Sequence, residues 1–275
     1  MSEPNQVPGW SDALARGPLL LDAAMGTRLI AQGLDLEHDD PALWNLTQPE
    51  TVAAIHERDV AAGSDAILTN TFGANRAWLA RFACAGRVVE INRRAVALAR
   101  QAAGRGRFVL GCLGPSAAPQ PEAYIEQAMA LAEAGVDALL FETHRVEQAE
   151  VALHAVRARS ELPLLISLAA WPDETERTAR RLVDLGASAL GCNCQAGMGP
   201  MLEMARRLAG VAAVPLITKP NAGLPDEPRA SPESFAQAVP ALLDLGVRLI
   251  GGCCGTTEAH VAALRAPLDA AKTRT

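Results

Sequence analysis

The sequence predicts a single-domain (β/α)8 barrel of the TIM class, and three features carry that prediction. Eight short apolar runs alternate with stretches of helical period over about 250 of the 275 residues. The runs are nearly continuously apolar, as strands of a parallel sheet are when both faces are buried. Several helical stretches end in Ala-Gly or Leu-Gly just before the next apolar run, where glycine supplies a left-handed cap. An open doubly wound sheet is the runner-up. It would normally carry a phosphate loop after its first strand, and neither G-x-G-x-x-G nor G-x-x-x-x-G-K-[ST] occurs. No linker, low-complexity tract or internal boundary divides the chain, so one domain over residues 1–275 is expected.

The strands are expected at Pro18 to Ala24, Ala66 to Phe72, Phe108 to Leu113, Ala138 to Glu142, Pro163 to Ala169, Ala189 to Cys194, Val214 to Thr218 and Arg248 to Cys253. Helices are expected at Glu50 to Ala62, Val88 to Ala103, Pro121 to Ala134, Val146 to Arg159, Thr175 to Leu185, Gly199 to Leu208, Pro232 to Leu245 and Thr257 to Ala270. The glycines that cap them include Gly63, Gly135, Gly186 and Gly246. The segment Leu29 to Thr47 interrupts the alternation after the first strand and is expected to lie over the catalytic face.

A formal net charge of −6 and the absence of a basic run argue against nucleic acid as a partner. No apolar segment approaches the roughly 20 residues needed to cross a bilayer. Met1 to Gln6 lack a charged start followed by an apolar stretch, so no secretory signal is expected and the cytoplasm is the expected location. Six cysteines in a chain of this size do not form a disulfide framework, and clustered thiols in a reducing compartment suit a metal or catalysis. Cys84, Cys112 and Cys192 stand among apolar residues and are expected to be buried small hydrophobes.

In such a barrel, functional groups gather where strands end and βα loops begin. That position holds Asp22 to Thr27 in the first unit, Thr69 to Gly73 in the second, and Gly114-Pro115-Ser116 in the third. It holds Phe141-Glu142-Thr143-His144 in the fourth, Cys194 in the sixth, Lys219 to Gly223 in the seventh and Cys253-Cys254 in the eighth. Three thiols from two strand ends can hold one zinc ion and leave a fourth position open, the arrangement of a catalytic site. Sulfur donors also suit a soft, sulfur-bearing substrate. Adjacent residues of a regular strand point to opposite faces, so Cys253 and Cys254 share a metal only if the strand breaks, and Gly251, Gly252 and Gly255 allow that. Two buried thiols or a vicinal disulfide are the alternatives, and Cys192 competes with Cys194 as the third ligand.

Asp22 and Glu142 end apolar strands, where an unpaired carboxylate is costly to bury. They either cap loop amides or meet an arginine, or they clamp a cationic group of a substrate such as an α-amino group. Lys219 attracts a carboxylate or is a solvated loop charge. His56 and His144 are expected to be ordinary helix and loop histidines.

These motifs together resemble the zinc-dependent homocysteine S-methyltransferase family. That family includes betaine–homocysteine and S-methylmethionine–homocysteine methyltransferases and the N-terminal homocysteine module of cobalamin-dependent methionine synthase. The resemblance rests on Asp22-Ala-Ala-Met-Gly-Thr27, Leu43-Trp-Asn-Leu-Thr-Gln-Pro-Glu50, Thr69-Asn-Thr-Phe72, Gly114-Pro115, Glu142-Thr143, Asn193-Cys194, Pro220-Asn-Ala-Gly-Leu-Pro225 and Gly251-Gly-Cys-Cys-Gly-Thr-Thr257. They run across nearly the whole chain in the family's order, and Asn-Cys with Gly-Gly-Cys-Cys-Gly is the most specific combination.

The resemblance implies the same barrel fold and zinc on Cys194, Cys253 and Cys254. It implies the homocysteine amino group on Asp22 and Glu142, and its carboxylate on backbone amides near Ala23 to Thr27. Asn221 would shape or fill the fourth coordination position before the thiol arrives. The implied reaction moves a methyl group from an activated donor to L-homocysteine, giving methionine. Departures from the family pattern bear on the donor. Ala23 follows Asp22 where glycine is usual, Leu68 stands where relatives often carry a polar residue, and Gly73 stands where betaine enzymes have an aromatic one. A quaternary ammonium is best held by aromatic faces, and only 4% of this chain is aromatic. Trp44, Phe72 and Trp171 are the candidates, so betaine is disfavoured and a sulfonium such as S-methylmethionine is favoured. The alternatives are a zinc- and homocysteine-binding subunit served by a separate corrinoid or folate protein, and a non-catalytic zinc- or thiol-binding barrel.

Overall fold

A computed structural model describes residues 9–116, 120–223 and 229–272. Met1 to Gln6, and Leu224 and Pro225 of the seventh-unit motif, lie outside the described residues. The strands are β1 (Leu19–Leu20), β2 (Ala66–Leu68), β3 (Phe108–Leu113), β4 (Ala138–His144), β5 (Leu164–Leu168), β6 (Ala187–Ala196), β7 (Leu216–Asn221) and β8 (Val247–Ile250). They form one sheet in the order β1-β8-β7-β6-β5-β4-β3-β2, with parallel pairing throughout. The eight expected helices are present within about two residues of their expected ends. Gly63, Gly135, Gly186 and Gly246, which follow four of them, all have positive φ. No helix among the described residues is long and apolar enough to cross a membrane.

The two ends of the sheet, β1 and β2, meet through carboxylates. Leu20 N–H donates to Asp65 Oδ2 at 2.8 Å, and Asp65 N–H donates to the Leu20 carbonyl at 2.8 Å. One step further up, Leu68 N–H donates to Asp22 Oδ2 at 2.7 Å. This is why the expected strand Pro18 to Ala24 contributes only Leu19 and Leu20 to the ladder. The amides of Leu20 and Leu68 bind side chains in place of a neighbouring strand's carbonyls, so neither is left unpaired at the seam.

Alternation along the strands divides the core in two. Leu19, Leu21, Ala66, Leu68, Phe108, Leu110, Ala138, Leu140, Leu165, Ala189, Ile217 and Leu249 cluster together and fill the barrel interior. The intervening residues, such as Ile67, Val109, Leu139, Phe141, Ile166, Leu190 and Ile250, pack outward against the helices. A helix that the sequence reading missed, Trp10–Arg16, closes the N-terminal end of the barrel. Its Trp10 ring meets Phe108, the first residue of β3, edge-on at 5.3 Å and 89°. The Leu29 to Thr47 segment folds as expected beside the other end. Leu29, Leu34 and Trp44 pack on Val52 and Ile55, and the Pro41 carbonyl accepts from Asn70 Nδ2 at 2.6 Å.

The inner layer is tightest where β6 passes β7. A Cβ added to Gly191 would lie 2.0 Å from the Ile217 carbonyl oxygen, a backbone atom that cannot step aside. Gly191→Ala is therefore expected to destabilise the barrel by about 3 kcal/mol, at the upper end of overpacking costs. Urea unfolding reads this as a lowered midpoint at unchanged slope. A wild-type midpoint would mean that the strands are not in contact there.

Candidate metal and substrate site

The inward parity of the strands continues upward from the apolar interior into polar residues. Two positions beyond Leu110, Leu140, Leu165 and Ile217 stand Cys112, Glu142, Ser167 and Lys219. Four beyond Ala189 and Leu249 stand Asn193 and Cys253. Most of these line a cavity of about 360 Å³ at the C-terminal end of the barrel, with Asp22, Pro41, Phe72, Thr143, Cys194 and Cys254 also at its wall.

The three expected thiols converge there. Cys253 Sγ lies 3.6 Å and Cys254 Sγ 3.8 Å from Cys194 Sγ, and all three sulfurs are within 4.8 Å of one another. A tetrahedral metal with metal–sulfur bonds of about 2.3 Å places its sulfurs about 3.8 Å apart, so the spacing fits a single bound ion. Hydrogen bonding to Cys194 and burial push the Cys253 thiol up to about 12, with Cys254 acting in the opposite direction. Three thiolates this close repel one another, so their full ionisation needs a cation among them.

Regular alternation would send Cys194 outward beside Cys192, which packs in the outer layer. Cys194 instead has φ 62°, a left-handed conformation uncommon for a residue with a Cβ, and its thiol joins the other two. Of the two competing cysteines, Cys194 is the one in the cluster. At the end of β4, Thr143 is also left-handed, with φ 60°. Asn193 ties these two distorted strand ends together. Its Oδ1 accepts from Thr143 N–H at 3.0 Å and from Ser167 Oγ at 2.8 Å. Its Nδ2 donates to Thr143 Oγ1 at 2.8 Å and approaches Cys253 Sγ at 3.8 Å. In the sequence Asn193 is marked only as part of the Asn193-Cys194 motif. Its inward parity was the signal that could have singled it out.

Below the thiols lies a charged floor. Glu142 Oε1 accepts from Lys219 Nζ at 2.6 Å, and Glu142 Oε2 accepts from Cys112 Sγ at 3.0 Å. Lys219 is 4% exposed, which rules out the solvated loop charge. Burial opposes its charge, but Glu142 and then Asp22 outweigh burial and hold the ammonium above its ordinary range. Cys112 is buried as expected, yet its thiol is bonded to a carboxylate and lines the cavity. Asp22 is 3% exposed; one oxygen is bonded at the seam and the other, Oδ1, is buried without a partner among the described residues. Burial pushes its carboxyl up to about 7, against the pull of Lys219.

The Ala23 to Thr27 turn crosses the cavity wall and is pinned from both sides. Ala24 N–H donates to Thr256 Oγ1 at 3.0 Å, and Gly255 N–H donates to Thr27 Oγ1 at 3.1 Å. Arg28 Nε donates to the Ala24 carbonyl at 2.6 Å, and the same guanidinium is bonded at both ends to buried Asp59. Asn221 lies elsewhere. It borders a neighbouring cavity with Gly197, Ala222 and Arg229, and its Oδ1 is buried without a partner among the described residues. His56 and His144 are buried and kept neutral mainly by that burial, at about 3 and about 4, and neither lines the thiol cavity. Of the three aromatic candidates only Phe72 borders the cavity. Trp44 donates to Asp39 at 2.8 Å and Trp171 to the Gly191 carbonyl at 2.9 Å, both within the packed structure.

The profile of a family described as homocysteine S-methyltransferase matches residues 19–268. Methionine synthase of Mycobacterium tuberculosis is 31% identical over an alignment covering 91% of this chain and 24% of that protein. Methionine synthase of Mycobacterium leprae is 29% identical over the same shares. The chain thus spans about a quarter of the length of the curated relatives it matches. Among solved structures, the metallated form of the homocysteine methyltransferase MmuM from Escherichia coli superposes with a TM-score of 0.78. It is 26% identical, with 94% of this chain and 98% of that one covered. A methyltransferase from Methanosarcina mazei, 13% identical with a TM-score of 0.62, shares the fold. Because the match begins at β1 and runs into the helix after β8, taking in all three clustered thiols and both floor carboxylates, the chain belongs to the homocysteine S-methyltransferase family.

Proposed function

We propose that this chain transfers a methyl group from an activated donor, a sulfonium of the S-methylmethionine kind, to the thiol of L-homocysteine, forming methionine. The observation that carries this reading is the meeting, in one cavity, of three thiols at metal-binding separation and a buried carboxylate oxygen with no partner among the described residues. A thiol-bearing amino acid complements both features at once. The similarity to a homocysteine methyltransferase with a metallated form supports the same reading.

Cys194, Cys253 and Cys254 would hold zinc, which lowers the pKa of a coordinated thiol so that it reacts as the thiolate. The chain's own residues supply position. Asp22 and Glu142 form the acidic floor that faces the α-amino group, and the pinned Ala23 to Thr27 turn would offer the carboxylate its amides beyond Ala23 and Ala24, which Asp59 and Thr256 already hold. Holding the amino acid at two points fixes its sulfur near the thiols and lowers the entropic cost of the encounter. The substrate sulfur attacks the methyl carbon in line. A carbon–sulfur bond forms as the donor's carbon–sulfur bond breaks, and the electron pair leaves with the neutral thioether. The proton lost by the thiol goes to solvent. Asn193 holds the strand ends carrying Thr143 and Cys194 and donates toward Cys253, as outer partners of metal ligands commonly do. Asn221, facing the adjacent cavity, would act on the fourth position only through a change of side-chain conformation. Free thiols throughout suit the cytoplasm.

The donor preference rests on the cavity wall. Phe72 is its one aromatic face from the three candidates, too few for a cage around a quaternary ammonium. A side chain at position 73 would also require the Asp40 carboxylate to move, because a Cβ there would lie 2.6 Å from Asp40 Oδ2. A second reading, a homocysteine-binding subunit fed by a separate corrinoid or folate protein, is favoured by the match to about a quarter of methionine synthases.

Cys253→Ala is expected to abolish both bound zinc and methionine formation, measured by metal analysis and product chromatography. Wild-type protein that binds no zinc under reducing conditions would remove the basis of the proposal. Asn193→Ala should fold yet bind zinc about 10- to 100-fold more weakly in chelator competition. Unchanged affinity would leave Asn193 a purely structural residue. With homocysteine as acceptor, S-methylmethionine should yield methionine and betaine should not. Turnover only when corrinoid or methylfolate protein is added would select the second reading.

A further inference from the structure

Deepening the function proposed above, and resting on it, we propose that Lys219 is a resident counter-ion that occupies Glu142, so that Asp22 Oδ1 alone takes the substrate's α-ammonium. Two carboxylates face the cavity floor, and they are not equivalent. Both oxygens of Glu142 are already engaged, one by Lys219 Nζ at 2.6 Å and the other by the Cys112 thiol at 3.0 Å. The lysine and the glutamate are 4% and 7% exposed, so this pair is shielded from water and from salt. Breaking it to free Glu142 would leave a buried ammonium unpaired, which is among the costlier changes a protein interior can undergo.

Asp22 is in the opposite condition. Its Oδ2 is committed to Leu68 N–H at the barrel seam, which fixes the carboxylate plane. Its Oδ1 is buried and unpartnered among the described residues. Two carboxylates and one ammonium leave the floor with one negative charge in excess, and a single incoming ammonium neutralises it. That a buried carboxylate without its own cation is hard to ionise agrees with Asp22 being pushed up to about 7. Lys219 thus performs permanently, on Glu142, the neutralisation that substrate performs on Asp22. The consequence is selectivity for one cationic group at this floor. A thiol acid without an amino group leaves Asp22 unpaired, and a substrate with a second ammonium finds no second carboxylate.

The test compares, by calorimetric titration of the zinc-loaded protein, homocysteine with 4-mercaptobutanoate, the same molecule without its amino group. Wild type should prefer homocysteine by about 30-fold or more, the cost of leaving one partner of a buried charge pair unmatched. Asp22→Asn keeps an acceptor for Leu68 N–H and should reduce the preference to about threefold or less. The double variant Glu142→Gln/Lys219→Met removes the resident pair with both its charges. Absolute affinities are free to change in it, but most of the preference should survive. Loss of preference in the double variant as complete as in Asp22→Asn would overturn the proposal. If the double variant does not fold, a crystal structure of the wild-type homocysteine complex decides. Substrate nitrogen on Asp22 Oδ1 with Lys219 still on Glu142 supports the proposal, and substrate nitrogen on Glu142 with Lys219 displaced overturns it. Wild-type protein that binds neither thiol would instead sink the methyltransferase reading.

Discussion

The hydrogen bond from Leu68 N–H to Asp22 Oδ2 is where fold and site become one problem. A barrel must close, and here the last gap is spanned by carboxylates rather than by a continuous ladder between β1 and β2. A carboxylate has two oxygens, and a single amide uses one. The other is left in the interior at the C-terminal mouth, where it must find a cation or remain costly. The same side chain therefore completes the sheet and creates a demand for a ligand. Asp65, just before the first residue of β2, closes the seam without that consequence because it also meets Arg265 at 2.9 Å.

Above the seam, geometry departs from regularity where the chemistry is. Thr143 and Cys194 are two of the three non-glycine residues with positive φ among those described, and both lie near the C-terminal ends of their strands, at the cavity. Such conformations cost of order 1–3 kcal/mol and persist when the surroundings over-determine them. Asn193 supplies that determination with hydrogen bonds to Thr143 and Ser167. The reversal at Cys194 is what lets a residue of outward parity share a centre with Cys253. Lys219 and Glu142 add a further layer, a buried ion pair that holds one carboxylate in place and takes it out of competition.

Much of this was legible in the sequence. Continuous apolar runs and Leu-Gly endings located all eight strands and the eight main helices, because burial on two faces and left-handed caps leave local marks. The convergence of Cys194, Cys253 and Cys254 also followed, since every βα junction of a barrel opens on the same mouth. The Trp10–Arg16 helix did not follow, because seven residues carry too little periodicity and only the barrel floor gives Trp10 a partner. The strand β1 shrank to two residues because side chains bridge it to the next unit, Asp65 accepting from the Leu20 amide and Asp22 from the Leu68 amide.

By itself the sequence determined the barrel, the parity of each strand and hence which side chains could face the mouth. These depend on periodicity and burial, properties of neighbours along the chain. Only the tertiary structure decided which of those side chains are engaged. Glu142 and Lys219 are 77 residues apart, and Asn193 and Thr143 are 50 apart. Whether such groups bond, and which oxygen is left over, depends on distances fixed when the strands are laid side by side. The left-handed turn at Cys194 is of the same kind, a local cost accepted because bonds from β4 and β5 hold it.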